Sequence, residues 1–302
     1  MTYGLTSEMH FKAEETGIFV YPLKGTGEIL SVYSKALNIL HPDQHLVPVV
    51  KAQSRMTSLS LSLPGRFSDS KNKKLSLRRG DKVHFYGSRM RINDLEIDLA
   101  VGRVWRSALL PKDVEGLCIA KPSLLKNTLL EEGKGSGFLR CLGAKAVGSI
   151  FERKASEILD GLGKRGRGVQ ELKGLSQLVG LGVGFTPSGD DFIAGALIGE
   201  KMLELISNDQ VRMSPLSIDK REIRAVLKRT NHGGRTLLWQ AFRGHFPYYM
   251  IEAARGLARA REPDEVMGVV SNASNHGETS GTDALVGMCW YLEASAERER
   301  RA

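Results

Sequence analysis

The sequence predicts an α+β protein, in which an antiparallel β-rich sheet or small barrel is followed by a C-terminal helical bundle. Two observations predict this order. Short runs that alternate apolar and polar residues recur before residue 145, whereas apolar residues at helical spacing dominate after it. We therefore expect two domains, residues 1–144 and 145–302.

The predicted strands are short runs rich in β-branched residues, separated by breaks that contain Pro, Gly or Asp. They cover residues 29–33, 46–50, 58–63, 82–86 and 95–99. The run 58–63 alternates serine with leucine, so we expect its serines to form a solvent face. A short helix over 121–130 and a Gly-rich break at 133–137 should close this domain.

Beyond residue 145 the apolar stripes predict helices, with no strand pattern of any length between them. The predicted helices cover about 150–162, 169–179, 188–205, 219–229, 236–242, 248–261, 263–273 and 282–295. We assign Trp239, Phe242, Tyr248 and Tyr249 to the core of this bundle.

Composition excludes several classes of protein. Among the 302 residues no apolar run approaches the ~20 needed to span a bilayer, and the first residues lack a signal-peptide pattern. Cys118, Cys141 and Cys289 are odd in number and widely spaced, which argues against a disulfide framework and a zinc site. We expect reduced cysteines in a cytoplasmic protein without membrane contact.

The net charge of +9 raises the question of nucleic-acid binding. The basic residues fall in separate segments without interleaved aromatic residues, so we expect no nucleic-acid partner and instead a general attraction for acidic small molecules. These segments contain Lys71, Lys73, Lys74, Arg78 and Arg79, then Lys164, Arg165 and Arg167, and finally Arg298, Arg300 and Arg301.

A short phrase occurs twice in the predicted helical domain. Ser188-Gly189, followed by Asp191, recurs 92 positions later as Ser280-Gly281, followed by Asp283. Each copy begins a predicted helix, where backbone N–H groups lack intrahelical acceptors and the helix dipole favours an anion. We expect the two loops to lie within a small ligand's length of each other. The alternative is that each serine and aspartate form only a capping box.

The hydroxyl groups of Thr186, Ser188, Thr279 and Ser280 would add donors for that anion. Asp190, Asp191 and Asp283 would repel it unless something offsets their charge. Three offsets remain open: Mg²⁺ held by Asp190 and Asp191, a nearby guanidinium group such as that of Arg235, or a carbamoyl or ureido substrate whose N–H groups need acceptors.

His276 precedes the second phrase and is a candidate general acid or base. Its alternative is a loop histidine that only hydrogen-bonds a backbone carbonyl. Arg235 could bind a carboxylate or phosphate with two hydrogen bonds, or be an ordinary arginine at a helix start. Ser188 has no paired base nearby in the sequence, so we do not assign it as a nucleophile.

Residues 181–195 resemble the signature of the AllH-like family, formerly a domain of unknown function. Residues 280–283 with Gly287 are similar to the second signature of that family, and residues 231–236 resemble a third polar segment. The strand-rich N-terminal half also resembles the family. Two departures are the Glu278 in place of an expected histidine and the Gly-rich character of residues 231–235.

The resemblance implies a subunit of oxamate carbamoyltransferase, which converts oxalurate and phosphate to oxamate and carbamoyl phosphate during allantoin degradation, a branch of purine catabolism. It implies a hetero-oligomer with two other kinds of subunit, one of them resembling acyl-CoA synthetases. On this hypothesis the catalytic residues are Asp190, Asp191 and His276. The substrate-binding residues are Thr186, Ser188, Gly189, Arg235, Thr236, Thr279, Ser280, Gly281 and Asp283.

Two other functions stay open at this point. One is a non-catalytic subunit that binds an anion or serves as a scaffold while its partners carry out the chemistry. The other is a metal-dependent phosphohydrolase that uses the three aspartates.

Overall fold

The computed structural model describes residues 9–34, 36–51, 56–63, 77–100, 102–118, 120–135, 137–143, 149–165, 171–206 and 215–300. Lys71, Lys73, Lys74, Arg167 and Arg301 lie outside these ranges, as does the beginning of the predicted helix 169–179. The predicted α+β order is confirmed, because a sheet precedes the helices. The chain forms two compact units, Met1–Ser107 and Ala108–Ala302, so residues 108–144 pack with the helices.

The described residues of the first unit form one ten-stranded mixed sheet with the strand order β1-β9-β8-β7-β3-β4-β5-β6-β2-β10. Its strands are β1 (Met9–Lys12), β2 (Glu15–Gly17), β3 (Lys24–Val32), β4 (Ala36–Leu40), β5 (Leu46–Val50), β6 (Leu61–Ser62), β7 (Lys82–Tyr86), β8 (Arg89–Ile92), β9 (Leu95–Asp98) and β10 (Arg103–Trp105). Most pairs are antiparallel as predicted, but β1–β9, β5–β6 and β2–β10 are parallel. Most strands that the sequence did not predict are two to four residues long, too short for alternation to be recognised.

The sheet is curled because the same two chain segments form both of its edges. Strands β1 and β2 follow each other directly, as do β9 and β10, and they pair as β1–β9 at one edge and β2–β10 at the other. Between these pairs the Ala13 N–H donates to the Asp98 carbonyl (2.9 Å) and the Arg103 N–H to the Glu14 carbonyl (2.8 Å). A Cβ at Gly102 would lie 2.6 Å from the Glu14 carbonyl oxygen, so only glycine fits at this junction.

The prediction that the serines of residues 58–63 face solvent is wrong. Ser58, Ser60 and Ser62 are all buried. The Ser107 N–H donates to the Ser58 hydroxyl (3.0 Å), and the Ser60 hydroxyl donates to the Thr57 carbonyl (3.0 Å). Hydrogen bonding thus makes these buried hydroxyl groups tolerable, and only β6 within this run is a strand.

The described part of the second unit contains nine α-helices. They are α1 (Lys121–Glu132), α2 (Gly137–Leu142), α3 (Ile150–Arg165), α4 (Ser188–Ile206), α5 (Lys220–Ala225), α6 (His232–Ala241), α7 (Tyr248–Arg259), α8 (Pro263–Ser274) and α9 (Ser280–Glu299). Each described helix is too short or too polar to cross a lipid bilayer.

One predicted helix is wrong. In place of 169–179 the described residues form strand β11 (Glu171–Leu172) and a 3₁₀ turn, Leu175–Leu178. The break is at Gly174, whose φ of 103° is incompatible with a helix. Strand β11 pairs in parallel with β12 (Ser217–Ile218), which also corrects the expectation that the helical part contains no strand.

Helices α4 and α9 pack with their backbones in contact at two glycines. A Cβ at Gly195 would lie 2.8 Å from the carbonyl carbon of Ala284, and one at Gly287 would lie 2.8 Å from the carbonyl carbon of Phe192. Residues 195 and 287 are 92 positions apart, and so are 192 and 284. The two helices are therefore related by a local two-fold, and their N-termini can meet.

Candidate functional site

The two repeated phrases meet in the structure, as predicted. The Thr186 hydroxyl, in the loop before α4, lies 3.2 Å from the Ser280 hydroxyl, at the first residue of α9. The close packing of the two helices at their glycines brings these entrances together. Two segments that are far apart in the sequence thus form one polar cluster.

Asp191 lies directly beneath this contact and is only 2% exposed. The Thr186 hydroxyl donates to its Oδ2 (3.0 Å), and the Ser280 hydroxyl also hydrogen-bonds its carboxyl group. Burial raises the pKa of Asp191 well above its ordinary value, and the charges of Asp283 and Asp190 add to the rise against the opposing hydrogen bonds. Asp191 therefore takes up a proton at a higher pH than an ordinary aspartate does.

Asp190 is fully buried and connects three segments. Its Oδ1 accepts from the Gly180 N–H (3.0 Å), and its Oδ2 accepts from the Thr230 hydroxyl. Burial raises the pKa of Asp190 to about 6, although both hydrogen bonds oppose the rise. A Cβ at Gly234 would lie 2.9 Å from the Asp190 carboxyl carbon, which explains why residues 231–235 are rich in glycine.

A third helix start, that of α6, is bonded to the first loop. The Asn231 side chain accepts from the Gly234 N–H (3.0 Å) and donates to the Gly184 carbonyl (3.0 Å). Gly233 packs against the Phe185 carbonyl group, where a Cβ would lie 3.0 Å from the carbonyl carbon. This capped start explains why α6 begins earlier than its apolar spacing predicted.

The predicted substrate residues of α6 have different surroundings. Arg235 is half-buried in the first turn of the helix. Thr236 is buried, and its hydroxyl donates to the His232 carbonyl (2.7 Å). Arg235 is thus the more accessible of the two.

The motif glycines serve packing. A Cβ at Gly189 would lie 2.9 Å from the Leu178 carbonyl carbon, and one at Gly281 would lie 2.7 Å from the Ala273 carbonyl carbon. Both glycines are buried, whereas Ser188, beside Gly189, is half-buried at the start of α4. Close helix packing explains these glycines without requiring a ligand to approach them.

The second entrance contains the remaining candidates. Thr279 is half-buried, and its carbonyl accepts from the N–H of Asp283 (2.8 Å), which is fully buried. The Gly281 N–H donates to the His276 carbonyl (3.1 Å). The His276 ring stacks on Tyr249, with ring centroids 3.9 Å apart and planes inclined by 15°.

Sequence reasoning missed two residues of this cluster, Thr230 and Tyr249. Thr230 lies 40 residues from the aspartate that it contacts. Tyr249 was assigned to the core, because it follows Tyr248 at the start of an apolar stripe. Neither contact leaves a local signal in the sequence.

The cluster is open to solvent along one loop. Val183 is 91% exposed and Phe185 is 52% exposed. Gly182 and Gly184 have φ angles of 107° and 112°, a region that favours glycine. An exposed, glycine-rich loop with two apolar side chains thus borders the buried acidic groups, an arrangement that can receive a small ligand.

Within the described residues, no three His, Cys, Asp or Glu side chains converge in a way that could hold a metal ion. Both oxygens of Asp190 already accept hydrogen bonds in a fully buried position, which does not fit a magnesium ion that retains several waters. A separate open cleft of about 440 Å³ lies on β3 and β7 and contains none of the motif residues.

No curated protein and no solved structure matches the chain in the comparisons with known proteins. Two family models match it. A model described as oxamate carbamoyltransferase subunit AllH matches residues 178–292, which include both repeated phrases and α6. A model described as the AllH family N-terminal domain matches residues 9–104, and together the two cover most of the chain. The chain therefore belongs to the AllH family.

Proposed function

We propose that this chain is the subunit of an oxamate carbamoyltransferase-like enzyme that binds a small carbamoyl or phosphate anion where α4 and α9 begin. The reaction would convert oxalurate and phosphate to oxamate and carbamoyl phosphate. The observation that carries the proposal is the contact between Thr186 and Ser280, 3.2 Å apart at the start of two helices. Both helix dipoles place partial positive charge there, and the two hydroxyl groups would donate to an anion by turning away from Asp191.

Burial of Asp191 weakens the main objection to an anion site, the charge of its carboxyl group. Burial raises the pKa of Asp191 well above its usual value, which weakens the negative charge that this carboxyl group presents to an anion. A neutral carboxyl group does not repel a phosphate, and its oxygens can still accept from a carbamoyl NH₂ group. This supports burial together with substrate N–H groups as the offset, with the Arg235 guanidinium as a further one.

The chemistry would need fixed donors and one proton. A phosphate oxygen attacks the carbamoyl carbon of oxalurate, the bond from that carbon to the oxamate nitrogen breaks, and this nitrogen takes up a proton. The Thr186 and Ser280 hydroxyl groups, with backbone N–H groups of the first loop, would stabilise the oxyanion of the tetrahedral intermediate. His276 would supply the proton, and Arg235 would bind the carboxylate of the substrate.

The family description names a subunit, so the enzyme contains further subunits. We propose that this chain assembles with them and that the enzyme functions in allantoin degradation. We also propose a cytoplasmic location, which fits cysteines that form no disulfide within the described residues: Cys118, Cys141 and Cys289.

A non-catalytic, anion-binding subunit is a second candidate, favoured by the environment of Asp190. Its carboxylate bonds Gly180 and Thr230, so its effect on activity could be purely structural. Asp190→Asn in the assembled enzyme tests this. Loss of turnover with assembly, anion affinity and melting temperature unchanged would exclude the non-catalytic role, whereas a lower melting temperature alone would support it.

Calorimetric titration of the purified chain with carbamoyl phosphate, oxamate and phosphate tests the proposed function. We expect saturable binding, weakened roughly 2- to 12-fold in Ser280→Ala, the range for one lost hydrogen bond. Ser123→Ala, at an exposed position of α1, is the matched control and should bind as the unsubstituted chain does. Equal affinity in Ser280→Ala and Ser123→Ala would refute the proposed site.

A further inference from the structure

Tyr249 and His276 form a nearly parallel aromatic pair beside the second helix entrance. Tyr249 is the second residue of α7, and His276 lies in the turn between α8 and α9. At a centroid separation of 3.9 Å and an inclination of 15°, the rings are in face-to-face contact. A rotation of the imidazole out of this plane would lose that contact, so the stack restrains the direction of its nitrogen atoms.

The backbone of His276 is part of the same entrance. Its N–H donates to the Ala273 carbonyl (2.9 Å), and its carbonyl accepts from the Gly281 N–H (3.1 Å). His276 is therefore held at two points, its backbone by the start of α9 and its imidazole by the ring of Tyr249. Ser280 follows four residues later, at the contact between the two motifs.

Tyr249 is also close to the buried acidic groups. Burial raises the pKa of its phenol well above the ordinary value, and the charges of Asp191 and Asp283 add to the rise. The phenol is therefore a neutral O–H donor near pH 7. One residue thus borders both the imidazole and the aspartates of the site.

We propose that Tyr249 is a positioning residue, whose ring holds the imidazole of His276 in the plane required for proton transfer to the bound ligand. The inference rests on the proposed function, because that function places the ligand at the paired entrances. This role needs the aromatic ring of Tyr249 and does not need its hydroxyl group. Phenylalanine should therefore replace it and leucine should not.

Proton NMR of the full chain tests the position of the imidazole without any activity. A stacked ring shifts the His276 resonances upfield, and His276→Asn identifies them among the seven histidines by their absence. We expect Tyr249→Phe to keep the upfield shift and Tyr249→Leu to abolish it. Tyr248→Leu is the matched control, because Tyr248 precedes Tyr249 on α7 and interacts with Glu252 and Arg255 instead.

Turnover by the assembled carbamoyltransferase tests the consequence. We expect Tyr249→Leu to lower kcat roughly 10- to 100-fold with little change in KM, the effect of a misplaced catalytic group. Tyr249→Phe should retain most of kcat. An unchanged His276 resonance in Tyr249→Leu, or a lost shift with unchanged kcat, would overturn the positioning role and leave the proposed function intact. Failure of the unsubstituted chain to bind any of the anions would overturn the proposed function and the positioning role together.

Discussion

The two glycines at the crossing of α4 and α9 should be among the positions of the second unit that tolerate an added methyl group least. Gly195→Ala would place a Cβ 2.8 Å from the Ala284 carbonyl carbon and 3.0 Å from the Met288 nitrogen. Gly287→Ala would place one 2.8 Å from the Phe192 carbonyl carbon and 3.0 Å from its Cα. All these neighbours are backbone atoms, which cannot move aside by changing a rotamer.

The magnitude follows from two opposing effects. Overpacking in a well-packed interior destabilises by about 1–3 kcal/mol, and a backbone obstacle places each glycine at the upper end. Alanine in place of glycine within a helix stabilises by about 1 kcal/mol. We therefore expect each single substitution to lower the free energy of unfolding by about 2 kcal/mol. For a unit of this size that corresponds to a melting temperature lower by about 4–8 °C.

The two substitutions should not be additive, because both require the same separation of the two helices. Once one methyl group has separated them, the second needs little further movement. The double variant should lose about 2 kcal/mol rather than about 4. Urea unfolding followed by far-ultraviolet circular dichroism measures all three variants.

Gly268→Ala is the matched control for this series. Gly268 is exposed within α8, and an added Cβ there meets no atom within 4 Å. The substitution should stabilise the protein by about 0.5–1 kcal/mol through helix propensity alone. If Gly195→Ala were as stable as Gly268→Ala, or if the double variant showed simple additivity, the reasoning from backbone contact would be refuted.

Three other outcomes are expected. Because the pKa of Asp190 is raised from 3.8 to about 6, the folded protein binds its proton more tightly than the unfolded chain. The free energy of unfolding should fall by about 3 kcal/mol as the pH rises from about 4 to about 6. Asp190→Asn should remove this pH dependence, which urea titrations at several pH values would measure. Tyr291→Phe removes a hydroxyl that bonds both the N–H (2.9 Å) and the carbonyl (2.7 Å) of buried Leu216, and should cost about 2 kcal/mol in the same assay. Arg255→Ala removes the guanidinium group that lies 3.1 Å from Asp113, a carboxylate only 2% exposed. The substitution should lower the free energy of unfolding by roughly 2–3 kcal/mol at pH 7, and high salt should change this loss little.

The fold could be predicted where a local pattern carries the structure. The strands over 46–50 and 82–86 and the long helix that begins at Ser188 follow directly from alternation or helical spacing. The helix predicted over 169–179 failed because its leucines are buried in a 3₁₀ turn as fully as they would be in a helix. The spacing of apolar residues indicates which side chains are buried, but it does not distinguish an α-helix from a 3₁₀ turn. The positive φ of Gly174 makes that distinction here.

The part of the candidate site that could be predicted is the part formed by the repeated phrase. The spacing of 92 residues pointed to two helix entrances, and their loops do meet. The partners of the site residues could not be predicted, because they lie far away in the sequence: Thr230 contacts Asp190, and Tyr249 stacks on His276. The buried serines of 58–63 show the same limit, since Ser58 is bonded by Ser107, 49 residues away.

The glycine crossing also has a consequence for selectivity by size. Ser188 is seven residues before Gly195, and Ser280 is seven residues before Gly287, so each entrance lies about 10 Å from the crossing along its helix. A change of about five degrees in the angle between the helices would move each entrance by roughly 1 Å. The distance available to a ligand is thus set by two backbone contacts remote from it. Relatives that accept longer or shorter ligands should differ at these contacts as well as in the loops.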